Sequence, residues 1–429
     1  MVNLRARGPR LPRLSPQTRS RLWVGGAMAL AMVGAAAGCG ASNSERPFAV
    51  DGQAGQDPGG SMSPTSPASP SPPDAGAASP SPAVTGDAGV ADGSGPAERD
   101  ARADGQTGLD AGPATCAPEV PPACDAPPPD PGGTRPWRNF GSNLVAVGGD
   151  RHRGRDLFLA AEGPQWVLAR FAYGALDLAL VGEEVDAYLL RGCQGAWEKL
   201  GTFVTTETGS HPPTEGIEDS GGWLFWRIPD GRRLGRGRHR VHLVVAGDLT
   251  TTEVFLEVAA PRTPLFVSDV DGTLTTAETA EFGALLTGAV AEARADAAAV
   301  LRTLVDKGYR PLYLTARPAW LLARTREFLS TRGFPPGIVH TTLGVTGALG
   351  ADAVRFKNQE LAQLGDKDLS PAFAFGNTDT DAEAYATAGV PTERRLLYQY
   401  TDNTHGGRRL EAYADLLSEL QSLPAACAP

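Results

Sequence analysis

The sequence predicts a parallel α/β sheet domain that is preceded by a β-sandwich. Between residues 137 and 262, short apolar runs are separated by glycine and proline and show no helical period. From residue 263 onward, short apolar runs alternate with longer stretches that have apolar residues at helical spacing. The first pattern is typical of antiparallel strands. The second is typical of strands that alternate with helices and pair in parallel.

The N-terminal segment has the features of an export signal. Arginines are concentrated between positions 5 and 21, and residues 22–37 form an uncharged, alanine-rich apolar run. This run is short for a membrane span and ends in small residues directly before Cys39. It resembles a bacterial lipobox, which implies removal of residues 1–38 and a lipid on Cys39. We therefore expect a lipid-anchored protein of the cell envelope, in the outer membrane or periplasm if the organism is Gram-negative.

Residues 39–136 are predicted to be a disordered tether. Serine, proline, alanine, glycine and aspartate dominate this stretch, and large apolar residues are rare. Such a composition buries too little apolar surface to offset the conformational entropy of the chain. The tether would let the folded part move over a wide area from its anchor.

The chain has 5 cysteines. Besides Cys39, there are Cys116, Cys124, Cys193 and Cys427, and these four allow three pairings in an oxidising compartment. In one pairing, Cys116 with Cys124 closes a proline-rich loop and Cys193 with Cys427 ties down the C-terminus. The cysteine spacing does not predict a zinc site.

The net charge of −10 argues against a nucleic acid as partner, because such binding needs a basic face. Residues 232–240 form a basic cluster within the sandwich region. It is interpreted either as a solvated turn or as a contact with anionic lipid headgroups.

Domain boundaries follow from these patterns. The sandwich is assigned to residues 137–262, with strands at 156–160, 167–173, 185–190, 222–228, 239–245 and 251–258. The α/β domain is assigned to residues 263–429, with strands at 265–268, 311–314, 337–340 and 372–375 and helices at 289–307, 319–332, 357–364 and 380–388. Ligands of such sheets bind at the carboxyl ends of the strands.

Polar side chains follow three of these strands. Asp269 and Asp271 come after the first, Thr315 after the second, and Asn377 and its neighbours after the fourth. These groups should therefore meet at one edge of the sheet. Lys357, predicted to open the intervening helix, would join them.

This set of side chains suits phosphoryl transfer. A carboxylate can attack phosphorus and form an aspartyl-phosphate, which splits hydrolysis into two steps. Paired carboxylates would repel a phosphate unless a divalent cation neutralises them, and oxygen ligands favour Mg²⁺.

The motifs resemble those of the haloacid dehalogenase superfamily, which implies its Rossmann-like parallel sheet. By this resemblance Asp269 is the nucleophile and Asp271 the general acid and base. Thr315 and Lys357 correspond to phosphate-binding residues.

The metal site implied by the resemblance combines Asp269, the backbone carbonyl of Asp271, Asn377 and Asp381. Asp379 is an alternative to Asp381, but the downstream sequence favours Asp381. Arg317 is interpreted either as a phosphate or headgroup ligand or as half of a salt bridge.

One branch of the superfamily is especially similar. YLTARP, the Phe356-Lys357 pair and FGNTDTDAEAYATAGVP resemble motifs of the lipin-type phosphatidate phosphatases and of the C-terminal domains of the Nir (retinal degeneration B) proteins. In the Nir proteins the first motif is degraded, whereas DVDGT is intact here, which favours catalysis. The resemblance implies phosphatidate or a related phospholipid as substrate.

The α/β domain should be capless, because residues 274–311 and 318–357 are too short for a sizeable insertion. An open site suits a membrane headgroup or a phosphoprotein. Three hypotheses follow: a membrane-tethered phosphatidate-type phosphatase, a general or phosphoprotein phosphatase, and a non-catalytic phospholipid-binding or transfer protein.

Overall fold

The computed structural model describes residues 118–276, 284 and 288–426, all within one compact unit. The predicted signal segment, Cys39, most of the predicted tether, Cys116 and Cys427 lie outside the described residues. Residues 118–136, predicted as the end of the tether, pack on the folded part instead. Arg135, for example, donates to Asp186 at 2.8 Å. In the part of the chain that is described, no helix is long and apolar enough to cross a membrane.

The first half of the folded unit is built from two β-sheets. A short helix precedes them, α1 (Ser142–Ala146). The strands are β1 (Arg153–Arg155), β2 (Leu157–Ala160), β3 (Gln165–Arg170), β4 (Ala172–Tyr173), β5 (Leu178–Ala179), β6 (Glu184–Leu190), β7 (Glu198–Val204), β8 (Trp223–Ile228), β9 (Gly237–Val245) and β10 (Thr251–Ala259). A three-stranded sheet has the order β1-β3-β8 and a five-stranded sheet the order β2-β10-β9-β6-β7, while β4 and β5 pair separately.

Five of the six strands predicted here are present. The sixth, predicted at 167–173, divides at Phe171 into β3 and β4, and β1, β5 and β7 were missed. Strand β7 lies at an edge, is partly exposed along its whole length and has a register irregularity opposite Ala187 and Tyr188. A strand that is this exposed needs no regular alternation of apolar residues. Its sequence, EKLGTFV, lacks that alternation, which is why the strand was not predicted.

The second half is a six-stranded parallel sheet with the order β13-β12-β11-β14-β15-β16. Its strands are β11 (Leu265–Ser268), β12 (Arg310–Leu314), β13 (Ile338–His340), β14 (Pro371–Gly376), β15 (Arg395–Tyr398) and β16 (Arg408–Leu410). Strands β11 and β12 are buried throughout, as expected for parallel strands covered on both faces. The fold is thus mixed α/β, with sandwich-like sheets followed by a parallel sheet.

The helices of this half are α2 (Ala297–Asp306), α3 (Leu322–Thr331), α4 (Ala351–Gly365), α5 (Asp379–Thr387) and α6 (Leu417–Ser422). The prediction that α2 begins at residue 289 was wrong. Residues 289–296 lie outside any helix: Ala293 forms a bridge with Thr275, and Asp296 directly before α2 has a φ of 61°.

The prediction that Lys357 opens a helix was also wrong, because α4 begins at Ala351 and places Lys357 near its middle. The residues before Phe356 include Ala351 and Ala353, which favour helix, and Asp352 lies in the positive first turn. The helix starts after Gly350, whose φ of 52° is outside the helical region.

Buried charges join the two halves. Arg155 of β1 pairs with Glu360 of α4, and His340 lies 2.6 Å from the same carboxylate. Arg326 of α3 pairs with the fully buried Asp156 at 2.5 Å. These pairs fix the sandwich beside the helices of the parallel sheet.

The disulfide structure differs from the pairing of Cys116 with Cys124 considered above. Cys124 pairs with Cys193, and their Cα atoms are 4.6 Å apart. The reason is that the segment around Cys124 lies along the sandwich, where the carbonyl oxygens of Cys124 and Ala126 accept hydrogen bonds from Arg240. The same bond excludes the proposed pair of Cys193 with Cys427.

The basic segment 232–240 is neither a free cationic patch nor a wholly solvated turn. Arg232 pairs with Glu198, and Arg240 donates to both carboxylate oxygens of Glu253. Arg238 is buried over the ring of Phe255. Local carboxylates and an aromatic ring thus occupy these guanidinium groups.

Candidate active site

Asp269 and Asp271 lie at the carboxyl end of the central strand β11. The amide of Asp269 donates to the carbonyl of Phe375 at 2.9 Å, which extends the β11-β14 pairing by one residue. The chain then turns, and the amide of Leu274 donates back to Val270 at 2.9 Å. Gly272 has a φ of 71°, which a residue without Cβ adopts at little cost. This turn places the two carboxylates at the sheet edge.

Lys357 lies between two buried carboxylates. Its Nζ is 2.8 Å from Oδ1 of Asp269, and it also pairs with Oδ1 of Asp381. Asp269 is 5% exposed, Lys357 2% and Asp381 0%. One buried cation therefore serves two buried carboxyl groups, and the cluster carries one surplus negative charge only when both carboxyl groups are ionised.

Burial and the neighbouring charges set the protonation of the cluster. Burial raises the pKa of Asp269 to about 8, an effect opposed by Lys357 and reinforced by the charges of Asp381 and Asp271. Burial disfavours the charged form of Lys357, but Asp269 and Asp381 together raise its pKa above the usual value. The lysine thus stays charged, whereas Asp269 titrates near neutral pH.

Asp381 is held by the start of α5. Its Oδ2 accepts hydrogen bonds from the backbone amides of Asn377 at 3.0 Å and Thr378 at 3.1 Å. Thr378 and Asp381 form a capping box at this helix N-terminus. A Cβ on Gly376 would lie 2.4 Å from Cβ of Asp381, so only glycine fits before Asn377. Close packing against Asp381 therefore explains the glycine that precedes Asn377.

Asn377 reaches the first motif through Thr273, a residue that sequence reasoning did not select. The hydroxyl of Thr273 donates to Oδ1 of Asn377 at 2.7 Å. Thr273 is fully buried, so this bond ties the turn after β11 to the loop after β14. The position of Thr273 within DVDGT was the available signal.

Asp271 is bound by Arg317 and Thr315. Nε of Arg317 is 2.8 Å from Oδ2 of Asp271, and Nη2 is 2.8 Å from Oδ1. The hydroxyl of Thr315 donates to Oδ2 at 3.2 Å. Of the two interpretations of Arg317, the salt bridge is present, and its partner is the predicted acid-base residue. The side chain of Asp271 is 20% exposed to solvent, so it faces the accessible side of the site.

The structure therefore brings the predicted residues together at one sheet edge, as two linked groups. Lys357 joins Asp269 to Asp381, while Arg317 and Thr315 hold Asp271, two residues beyond Asp269. Thr273 connects the turn between them to Asn377. Their catalytic, phosphate-binding and metal-binding roles stay predictions.

The donors at this edge suit a hard divalent cation. Asp269 and Asp381 supply buried carboxylates, and Asn377 supplies an amide oxygen. When Asp269 and Asp381 are both ionised, the surplus negative charge around Lys357 also favours an additional cation, which would in turn stabilise the ionised form of Asp269. Within the described ranges, no group of three acidic, histidine or cysteine side chains could hold a metal. The predicted set contains only two such carboxylates besides the amide and the carbonyl of Asp271.

Both halves of the folded unit match known protein families. Residues 150–258 match the family profile of the PITM 1-3 β-sandwich domain. Residues 266–397 match that of the PITM 1-3 LNS2 domain. The two domains follow one another here in the order sandwich, then LNS2.

Two relatives illustrate the similarity. Protein retinal degeneration B of Drosophila melanogaster is 30% identical over 271 residues, which cover 62% of this chain and 19% of the relative. Human membrane-associated phosphatidylinositol transfer protein 1 is 31% identical over 272 residues, covering 62% of this chain and 20% of the relative. The chain thus spans about a fifth of the length of these relatives.

Among solved structures, a class C acid phosphatase from Bacillus anthracis with tungstate bound aligns at 18% identity, with a TM-score of 0.23. The alignment covers 28% of this chain and 54% of the phosphatase. The family matches support the lipin/Nir branch that the motifs resemble: residues 150–258 and 266–397 are similar to the β-sandwich and LNS2 domains of PITM 1-3.

Proposed function

We propose that this chain is a Mg²⁺-dependent phosphomonoester hydrolase that acts on phosphatidate or a related phospholipid at a membrane. The observation that carries the proposal is the buried cluster of Asp269, Lys357 and Asp381 with Asp271 at the same sheet edge. The phospholipid preference rests on the similarity to proteins named phosphatidylinositol transfer proteins.

In the proposed first step, a carboxylate oxygen of Asp269 attacks the phosphorus atom. The bond from phosphorus to the ester oxygen breaks, and Asp271 gives a proton to the leaving oxygen. In the second step, Asp271 takes a proton from water, whose oxygen attacks the aspartyl-phosphate. The bond between phosphorus and Asp269 breaks and releases phosphate.

The side chains around these two aspartates would position them. Lys357 holds Asp269 and supplies positive charge beside the reacting oxygens. Arg317 and Thr315 fix the direction of Asp271, and one bond to Arg317 must open when Asp271 carries a proton. Asp269, Asn377, Asp381 and the carbonyl of Asp271 would hold Mg²⁺, which supplies charge neutralisation for the phosphate.

A second candidate is a non-catalytic phospholipid-binding or transfer protein. The observation that favours it is Arg317, which donates to both oxygens of Asp271 and so occupies the predicted acid-base residue. The names of the relatives are consistent with this candidate.

The proposed location follows from the export signal and Cys39. A lipid on Cys39 would hold the chain at the cell envelope, and residues 40–117 would link it to the folded unit. Mass spectrometry of the membrane fraction should then find a lipid-modified Cys39 at the N-terminus, and an unprocessed residue 1 would contradict this location.

The test of the function is phosphate release by the purified full-length chain. Phosphatidate in mixed micelles and soluble para-nitrophenyl phosphate would each be supplied with Mg²⁺ or with a chelator. We expect release from phosphatidate that requires Mg²⁺. Release from the soluble ester alone would favour a general or phosphoprotein phosphatase.

The control is Asp269→Asn, which keeps the shape of the side chain but lacks the nucleophilic oxygen. It should lower turnover by about a thousandfold or more while the chain stays folded. If wild type releases no phosphate from either substrate but binds phosphatidate micelles, the binding or transfer protein is supported instead.

A further inference from the structure

Large apolar side chains are exposed mainly in three segments of the folded unit. Among the described residues, ten large hydrophobic side chains are exposed, and eight of them fall in residues 140–147, 176–178 and 343–349. We name these eight the apolar rim: Phe140, Leu144, Val147, Leu176, Leu178, Leu343, Val345 and Leu349.

The first two segments lie against each other within the sandwich. Gly148 follows α1, and a Cβ built on it would lie 2.6 Å from Cα of Gly174. The amide of Gly174 donates to the carbonyl of Gly149 at 2.8 Å. The segment of α1, with Phe140 before the helix and Val147 after it, therefore adjoins the β4-β5 turn.

The β4-β5 turn also faces the third segment, residues 343–349. Asp177 in the turn and Leu343 and Val345 in the loop after β13 line the same cleft, which has a volume of about 740 Å³. Nearby, the guanidinium of Arg151 lies 5.3 Å from the ring centroid of Trp320. The apolar rim thus continues from the sandwich onto the parallel-sheet half.

The third segment is hydrogen-bonded to the residues that follow β12. We call the carboxyl ends of the parallel strands, where Asp269, Asp271 and Thr315 lie, the catalytic edge. The amide of Ala348 donates to the carbonyl oxygen of Ala316 at 3.0 Å, and the amide of Thr342 donates to the carbonyl oxygen of Arg317 at 3.0 Å. Nε1 of Trp320 donates to the carbonyl of Val345 at 3.0 Å. The loop therefore lies directly on the residues that follow Thr315, beside Asp271.

The shape and charge of the apolar rim fit a lipid bilayer. Phe140 is 98% exposed and Leu349 is 89% exposed, so these side chains project rather than line a groove. Residues 137–149, 171–176 and 341–351 contain no aspartate or glutamate. Of the acidic residues that border these ranges, Asp177 is paired with Arg153 and Arg170, while Asp150 is exposed next to Arg151. Arg138 is exposed beside Phe140, and the marginal Asp352 is paired with Arg355. Projecting apolar groups flanked by arginine suit the headgroup and acyl boundary of an anionic membrane.

We propose that the apolar rim is a membrane-docking surface that inserts into an anionic bilayer and brings the catalytic edge to the phosphate headgroups. This inference rests on the phospholipid half of the proposed function and adds the surface that would deliver the substrate. It does not depend on whether Asp269 is a working nucleophile.

The test is hydrogen-deuterium exchange of the full-length chain with vesicles of phosphatidylcholine alone or with added phosphatidate. A local readout is needed because the predicted lipid anchor could hold every variant on a vesicle. We expect exchange to slow in residues 140–148, 174–178 and 343–349 with the phosphatidate vesicles, and less with phosphatidylcholine.

Two variants sharpen this test. The double variant Leu144→Asp with Leu349→Asp should weaken the protection by about tenfold or more, because each carboxylate must leave water on insertion. The matched control is Val120→Asp, which is also exposed. It adjoins Glu119, whose partner Arg310 is the first residue of β12 and so lies at the amino ends of the parallel strands, opposite the candidate active site. Both variants should melt within about 3 °C of wild type, as expected at exposed positions.

Several outcomes would overturn the inference. These are no protection with either vesicle, equal loss in the Val120→Asp control, or protection that appears with protein concentration in the absence of vesicles. The last would indicate association between copies of the chain. Failure of catalysis is separate, because it shows as absent turnover of phosphatidate and para-nitrophenyl phosphate while the protection remains.

Discussion

Two buried charge clusters in this chain are opposite in sign. In the sandwich, Asp177 is shared by Arg153 and Arg170, so the cluster has a surplus positive charge. At the edge of the parallel sheet, Lys357 is shared by Asp269 and Asp381, so the surplus is negative. Each cluster is an ion triad with little exposure, but the two respond differently to burial.

The difference lies in which groups change their protonation. Burial lowers the pKa values of Arg153 and Arg170 to about 10, and both stay charged at neutral pH. Burial raises the pKa of Asp269 to about 8, within the range where a proton is exchanged. A buried carboxylate poised in this way, at a sheet edge, is characteristic of a functional site, whereas the arginine triad is suited to structure.

The largest stability effect should come from removing the central ion of each triad. Lys357→Met leaves Asp269 and Asp381 buried without a cation, and we expect it to cost about 3–5 kcal/mol of unfolding free energy. Asp177→Ala should cost about 2 kcal/mol, because long arginine side chains can turn toward water. Chemical denaturation of both variants measures the difference. Equal costs would show that the two triads do not differ in this respect.

The disulfide gives the next effect and concerns the sandwich. Replacing both Cys124 and Cys193 with serine should lower the unfolding free energy by about 2–4 kcal/mol, because the unfolded chain gains freedom. Turnover per folded molecule should stay within about threefold of wild type, since the proposed catalytic residues Asp269 and Asp271 lie in the other half. A larger loss of turnover would mean that the sandwich shapes the site.

The remaining cysteines sharpen this prediction. Pro118 and Ala426 both lie against Gly308, since a Cβ built there would be 3.5 Å from Cβ of Pro118 and 2.1 Å from the carbonyl oxygen of Ala426. With Cys124 bonded to Cys193, we propose that Cys116 pairs with Cys427. Non-reducing peptide mapping should find both bonds, and a free thiol at either position would contradict the second.

The pH dependence of stability gives a further prediction. Because the folded-state pKa of Asp269 is raised to about 8 from 3.8, the folded chain keeps a proton that the unfolded chain has lost. Stability should therefore fall as the pH rises between about 4 and 8. In chelator-treated protein, Asp269→Asn should remove this decline and raise the melting temperature at about pH 8.

The matched control for this prediction is Asp381→Asn. Oδ2 of Asp381 caps α5, so this variant should lower the melting temperature across the whole pH range. A wild-type pH profile that is superimposable on that of Asp269→Asn would disprove the raised pKa.

Much of the site could be predicted because motif residues follow strands. The apolar run 265–268 ends directly before Asp269, and β12 ends directly before Thr315, so parallel pairing places both at one edge. Lys357 was placed on the wrong part of its helix, because its side chain reaches the site from the middle of α4. Helix propensity does not show how far the side chain of Lys357 extends toward the site.

Other features depended on contacts between distant residues. The pairing of Cys124 with Cys193 follows from a segment without helix or strand that Arg240 holds on the sandwich, and local sequence does not show this. Similarly, the TARP motif contains Arg317, but only the folded chain shows that both oxygens of Asp271 accept its hydrogen bonds.

The most direct test of the central claim is the detection of a phosphoryl group on Asp269. The full-length chain would be mixed with phosphatidate micelles and Mg²⁺, quenched in acid during turnover, digested and analysed by mass spectrometry. We predict one phosphoryl group on the peptide that contains Asp269, and none in Asp269→Asn. Phosphate release without this modification, or no release and no modification, would contradict the assignment of Asp269 as nucleophile.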